Sequence, residues 1–165
     1  DMEFFGSQGG LHGRKAQLFE GGIRVPAVVW WPHHIDAGTT SDVPSAFWDW
    51  YPTLTSIAGG DSGACDGVNL TPSLISNAQL DERGLYWEFG SSQAYRNGPW
   101  KLLRIKSKNG IETHLYHLEN DFGETTNLAS QLPQQVRLLQ QQATEMHEES
   151  KVFTSFLDEN DMGTP

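Results

Sequence analysis

Two Asn-Gly dipeptides, Asn97-Gly98 and Asn109-Gly110, constrain this chain more than any other feature. Asn-Gly readily takes the left-handed backbone that tight hairpin turns require. Around them lie four short runs with strand character, at residues 84–89, 93–96, 100–106 and 112–118. Consecutive strands on short turns make an antiparallel meander. Farther on, Leu132, Val136, Leu139, Ala143 and Met146 recur at helical spacing within residues 131–156. That pattern predicts a helix packed across the sheet, an α+β unit.

The first half reads differently. Residues 10–26 hold Gly10, Gly13, Gly21 and Gly22 around Lys15, then Arg24 and Pro26. Glycine lets backbone approach a small ligand closely, and lysine supplies a compact positive charge. Residues 25–31 are apolar, as in a strand covered on both faces, and Pro32 stops them. A lysine at a glycine-lined strand end suits an anion such as phosphate or sulfate. Ser41 and Asp42 offer capping chemistry for a helix through about residue 57, with Phe47, Trp50, Tyr51, Leu54 and Ile57 on one stripe. Residues 71–75 predict a short helix, and 158–165 a polar tail.

The chain has 165 residues, enough for one core or somewhat more. Its formal net charge of −10 argues against nucleic acid and against an anionic membrane surface. Any anion recognition must therefore be local. The single cysteine, Cys65, excludes an intrachain disulfide. No apolar run approaches membrane-spanning length.

The run Gly10-Leu11-His12-Gly13-Arg14-Lys15, followed by Glu20-Gly21-Gly22-Ile23-Arg24-Val25-Pro26, resembles the formylglycine-dependent sulfatases of the alkaline phosphatase superfamily. His12 stands where that family usually has arginine. The likeness continues in order through Trp31-Pro32, Ala37-Gly38-Thr39, residues 48–54, residues 66–74, Tyr86-Trp87-Glu88-Phe89, residues 95–102, and residues 115–129. It implies that Lys15 binds the sulfate group and is the catalytic residue of this segment. His12 is a second substrate-binding candidate, read as a contact to a leaving-group or sugar hydroxyl, as a general acid near neutral pH, or as a loop histidine that shapes the fit without chemistry.

The resemblance also implies what this stretch lacks. Family members run to several hundred residues. They attack sulfur with a formylglycine hydrate made from a Cys/Ser-x-Pro/Ala-x-Arg motif, with calcium balancing charge. Cys65, in Ala64-Cys65-Asp66-Gly67, does not fit that motif. The family's metal-binding Asp-Asn-Gly is expected just upstream, with residues 1–5 resembling the loop after it. No metal ligand is assigned here, so calcium and formylglycine are implied with their residues upstream.

Other candidates read as structure. Glu20 and Arg24 are expected to pair or to tie down backbone. Trp87 and Glu88 are candidates for a cleft wall, with core the stronger reading of the tryptophan. His33-His34 reads as a surface turn, since adjacent residues of an extended chain point opposite ways. His114 and His117 face opposite sides of a strand and receive no function, and Glu145, Glu148 and Glu149 read as a solvated helix face.

The expected fold is thus α/β: the C-terminal part of an alkaline-phosphatase-like α/β sandwich over residues 1–80, then an antiparallel-sheet-plus-helix subdomain over 81–165. The expected function is that of the C-terminal portion of a sulfatase acting on a small sulfate ester or a sulfated glycan, inactive as an isolated chain. A non-catalytic association module and a related phospho- or phosphonoester hydrolase are the alternatives. Expected partners exclude nucleic acid and membrane, and include self-association or pairing with a missing N-terminal part. A bacterial-type parent would be periplasmic or secreted.

Overall fold

The structure, a computed structural model, describes residues 6, 8–152 and 155. The expectations for residues 1–5 and for the tail 158–165 fall outside the described residues.

The described residues carry four short helical segments and one sheet. These are α1 (Glu20–Ile23), a 3-10 turn (Phe47–Asp49) running into α2 (Trp50–Ile57), α3 (Thr71–Ser76), and α4 (Pro133–Met146). The strands are β1 (Gly84–Phe89), β2 (Ser92–Asn97), β3 (Trp100–Ser107) and β4 (Gly110–His117), in the order β1-β2-β3-β4. Every neighbouring pair is antiparallel. The register places Tyr95, Leu102 and Leu115 side by side, and Ala94, Leu103 and His114 on the opposite face.

Both faces are covered. Tyr95, Leu102 and Leu115 pack with Leu139 and Ala143 of α4, and Trp100, Leu128 and Val136 close around them. Ala94 and Leu103 pack with Leu18, and Phe19, Ile23, Trp87 and Ile105 border that second cluster. The helix thus lies on one face, and residues 18–23 of the glycine-rich segment lie on the other. Two-sided cover explains why Lys101, Leu102, Leu103 and Arg104 are buried in succession instead of alternating with exposed residues. Trp87 sits in this packing, as the core reading of it expected.

The chain divides into two compact units: residues 1–25 with 83–165, and residues 26–82. Residues 10–24 therefore fold with the sheet, and the 1–80/81–165 division remains a statement about a parent protein in chain order.

Three expectations are corrected. Residues 25–31 form no strand, and Val28 and Trp30 stand 92% and 86% exposed. A run apolar on both faces needs neighbours on both edges, and among the described residues no strand pairs with it. The helix expected from residue 41 starts only at 47–50. Pro44 holds the residue before it extended, and the Asp49 carboxylate collects the N–H groups of Ala46 and Val68 at 2.6 and 3.0 Å. Its apolar stripe is also turned outward: Phe47, Tyr51 and Leu54 are exposed, while Asp49, Pro52 and Thr53 are buried. Finally, α4 ends at Met146, not near 156. Glu148 and Glu149 oppose the negative end of a helix. His147 instead adopts an extended backbone and sets its ring 3.1 Å from the Tyr86 hydroxyl and 3.3 Å from the Glu88 carboxylate.

Candidate active-site loop

Lys15 sits in a tight turn. Gln17 N–H donates to the Arg14 carbonyl at 3.0 Å, and Arg14 N–H donates to the Gln17 side-chain oxygen at 3.0 Å. Ala16 completes the turn at φ 69°, a left-handed conformation uncommon for a residue with a Cβ. This reversal puts Lys15 at the outer corner, where it is exposed.

Two of the glycines beside it are packed against backbone. A Cβ on Gly21 would lie 2.5 Å from the His12 carbonyl oxygen, and one on Gly22 would lie 2.6 Å from the Arg14 carbonyl oxygen. Gly21 and Gly22 thus let the backbone of α1 press against the backbone of residues 12–17. Gly21 N–H also donates to the His12 carbonyl at 2.7 Å.

His12 is exposed and stacks on Phe19, with ring centroids 4.0 Å apart. Its Nδ1 lies 3.2 Å from the Glu124 carbonyl oxygen. Both sequence candidates therefore occupy the same small loop on the sheet face opposite α4.

Beneath the loop is a charged cluster that sequence reading divided among separate motifs. Lys101, on β3, is fully buried. Its Nζ lies 2.8 Å from Glu20 Oε1 and 2.8 Å from Glu124 Oε1. The Glu20 N–H donates to Glu124 Oε2 at 2.6 Å. Arg24 approaches Glu20 Oε2 at 3.7 Å from the solvent side, in keeping with the expected pairing of these two residues. Two carboxylates thus face two cations, one buried and one half-exposed. Burial pushes the Glu124 carboxyl above the usual range, and Lys101 offsets this only in part. Burial, reinforced by the charges of Glu124 and Asp121, pushes the nearby Tyr116 phenol up to about 12, so it stays protonated at neutral pH. The signal for Lys101 and Glu124 lay in the sequence: a lysine beside Leu102 and Leu103 in a strand run, and an acidic residue after the sheet. Nothing in their spacing linked them.

The remaining candidates lie elsewhere. Glu88 accepts a hydrogen bond from Ser155 at 2.6 Å, next to His147. His33 and His34 are exposed in a turn, with His34 stacked on Trp31 at 4.1 Å. Cys65 is exposed. Within residues 26–82 a cavity of about 690 Å³ is walled by Val29, Ile35, Val43, Trp50 and Leu74, and Asp36 is the one charged residue on its wall. Neither Lys15 nor His12 lines it. Among the described residues no group of three or more His, Cys, Asp or Glu side chains is placed to hold a metal ion. These residues therefore do not fit a calcium site of their own.

Known proteins resemble the chain across most of its length. A sulfatase of Formosa agariphila is 30% identical over 82% of this chain, which spans 30% of that protein. Arylsulfatase A of Bos taurus is 34% identical over 77% of the chain, again 30% of the relative. Among solved structures, Ps i-CgsB superposes on 82% of the chain with a TM-score of 0.68 and 26% identity, the chain covering 31% of it. The same protein has been solved in complex with k-i-k-neocarrahexaose. No protein-family model matches the chain. The chain spans less than a third of the length of these relatives. In sequence and in fold alike, the chain is similar to part of these sulfatases.

Proposed function

We propose that this chain is the C-terminal portion of an enzyme that hydrolyses sulfate esters, and that Lys15 is its sulfate-binding residue. The observation that carries the reading is the Lys15 turn: an exposed cation at the corner of a turn whose backbone is locked against α1. An ammonium carried on a held backbone turn neutralises charge on sulfate oxygens as the ester bond breaks. His12, stacked on Phe19 in the same loop, is a second contact for the substrate. A sulfated glycan is the favoured substrate, since a relative of like fold was solved with k-i-k-neocarrahexaose.

In this reading residues 1–80 continue a larger catalytic domain and residues 81–165 form its C-terminal subdomain. Calcium and a formylglycine nucleophile are family features whose residues belong to other parts of the parent protein. The chain's own contribution is to bind and orient the sulfate. No helix among the described residues is long and apolar enough to cross a membrane.

The test is turnover by the full-length protein of an aryl sulfate and the matching aryl phosphate. Sulfate hydrolysis well above phosphate hydrolysis is expected. Preference for the phosphate would move the protein to the phosphoester hydrolases of the superfamily, and no turnover of either would make the segment an association module. The 165-residue chain alone should turn over neither, because no nucleophile is assigned to it.

A further inference from the structure

We propose that Lys101, Glu124 and Glu20 form a buried clamp that holds the Lys15 turn in place, making Lys101 and Glu124 positioning residues for sulfate binding; this rests on the reading of Lys15 above. The connection is continuous. Lys101 rises from β3 and meets both carboxylates at 2.8 Å. Glu124 Oε2 accepts the N–H of Glu20, the first residue of α1, and its carbonyl oxygen lies 3.2 Å from His12 Nδ1. Within α1, Gly21 N–H holds the His12 carbonyl, and Gly22 seats the Arg14–Gln17 turn that carries Lys15.

Two further observations favour positioning over simple cohesion. Burying three ionisable groups is expensive, and apolar side chains of similar volume often stabilise a fold as well or better. What an ionic cluster adds is direction: Glu124 Oε2 accepts the Glu20 N–H, Glu20 Oε1 accepts from Lys101, and Glu124 Oε1 lies 2.8 Å from the same ammonium. Glu124 also adopts φ 51°, and backbone strain of this kind is retained where a side chain must point one way. The strained Glu124 and the strained Ala16 lie at the two ends of the connection.

The experiment is a mutant cycle in the full-length protein, with 4-nitrophenyl sulfate as substrate and inorganic sulfate as competitive inhibitor. It is run at a temperature where circular dichroism shows every variant folded. Lys101→Met should lower kcat/KM about 10- to 100-fold, the scale of a misplaced charge stabiliser, and weaken sulfate inhibition by a similar factor. In a Lys15→Ala background the same substitution should cost less than threefold, because its effect passes through Lys15. Equal losses in both backgrounds would show a purely structural role and overturn the proposal. Should Lys101→Met fail to fold, Glu124→Gln takes its place in the cycle with the same expectations. Hydrogen exchange separates the two layers of the inference. With Lys101→Met, amides of residues 12–22 should exchange at least tenfold faster than in the parent, and unchanged exchange overturns the clamp. A Lys15→Ala loss under threefold overturns the Lys15 reading and the positioning role with it, even where exchange shows the clamp intact.

Discussion

At the scale of single residues, the buried charges dominate the energetics. Lys101 has both its carboxylate partners out of water, so removing it leaves two buried negative charges facing each other. Breaking a buried ion pair from one side typically costs about 3–5 kcal/mol. Lys101→Ala should therefore lower the urea midpoint strongly, while Lys15→Ala, at an exposed corner, should leave it almost unchanged. The cluster also sets a pH dependence. Burial holds the Glu124 carboxyl above its ordinary value of 4.5. The folded state then binds that proton more tightly than the unfolded chain, so stability falls as pH rises from about 4.5 through the raised value. Glu124→Gln should flatten this fall in urea titrations taken at several pH values. Asp121 acts in the opposite sense. Burial pushes its carboxyl up, but hydrogen bonds from Thr125 and Thr126 outweigh this and leave it below its ordinary value of 3.8. Its contribution is present above that value and is lost as pH falls through the lowered one. Asp121→Asn should therefore cost about 1 kcal/mol at neutral pH and progressively less in acid.

At the scale of elements, what the sequence made legible depends on range. The meander was readable because each of its turns is local: β1 and β2 lie within a residue or so of their expected bounds. Residues 110–117 likewise follow a turn whose Gly110 takes φ 114°, a backbone conformation that L side chains rarely adopt. The helix across the sheet was readable from its period, and Leu139→Ala should cost about 2–5 kcal/mol because Leu139 is only 1% exposed against Leu102 and Leu115. Elements whose partners are distant or missing misled. Residues 25–31 look like a strand from composition, yet a strand exists only when its edges are paired. The apolar stripe of α2 was legible, yet the polar side of the helix is the buried one, because Asp49 and Thr53 satisfy the N–H groups of Val68 and Leu70. The candidate site divides in the same way. Lys15 and His12 were legible as one local motif, whereas Lys101 and Glu124 reach that motif only through tertiary contact across 81 and 104 residues of chain.

At the scale of the whole molecule, the two compact units differ in how much of their apolar surface they bury. The strands of residues 84–117 are covered on both faces, by α4 and by residues 18–23, while residues 26–82 leave Val28, Trp30, Phe47 and Leu54 exposed. In the 165-residue chain, hydrogen exchange should show strong protection in the strands and α4 and little in residues 25–60. Sedimentation should show self-association through the exposed apolar run. Uniform protection in a stable monomer would mean that residues 26–82 need no further partner. In the reading proposed for Lys15, the chain would orient the anion and the rest of a longer parent would act on it. The most direct test of that account is kcat/KM for an aryl sulfate in the full-length protein with and without Lys15→Ala. The account predicts a loss of about two to four orders of magnitude with circular dichroism unchanged. Active enzyme whose Lys15→Ala variant keeps kcat/KM within threefold would contradict it.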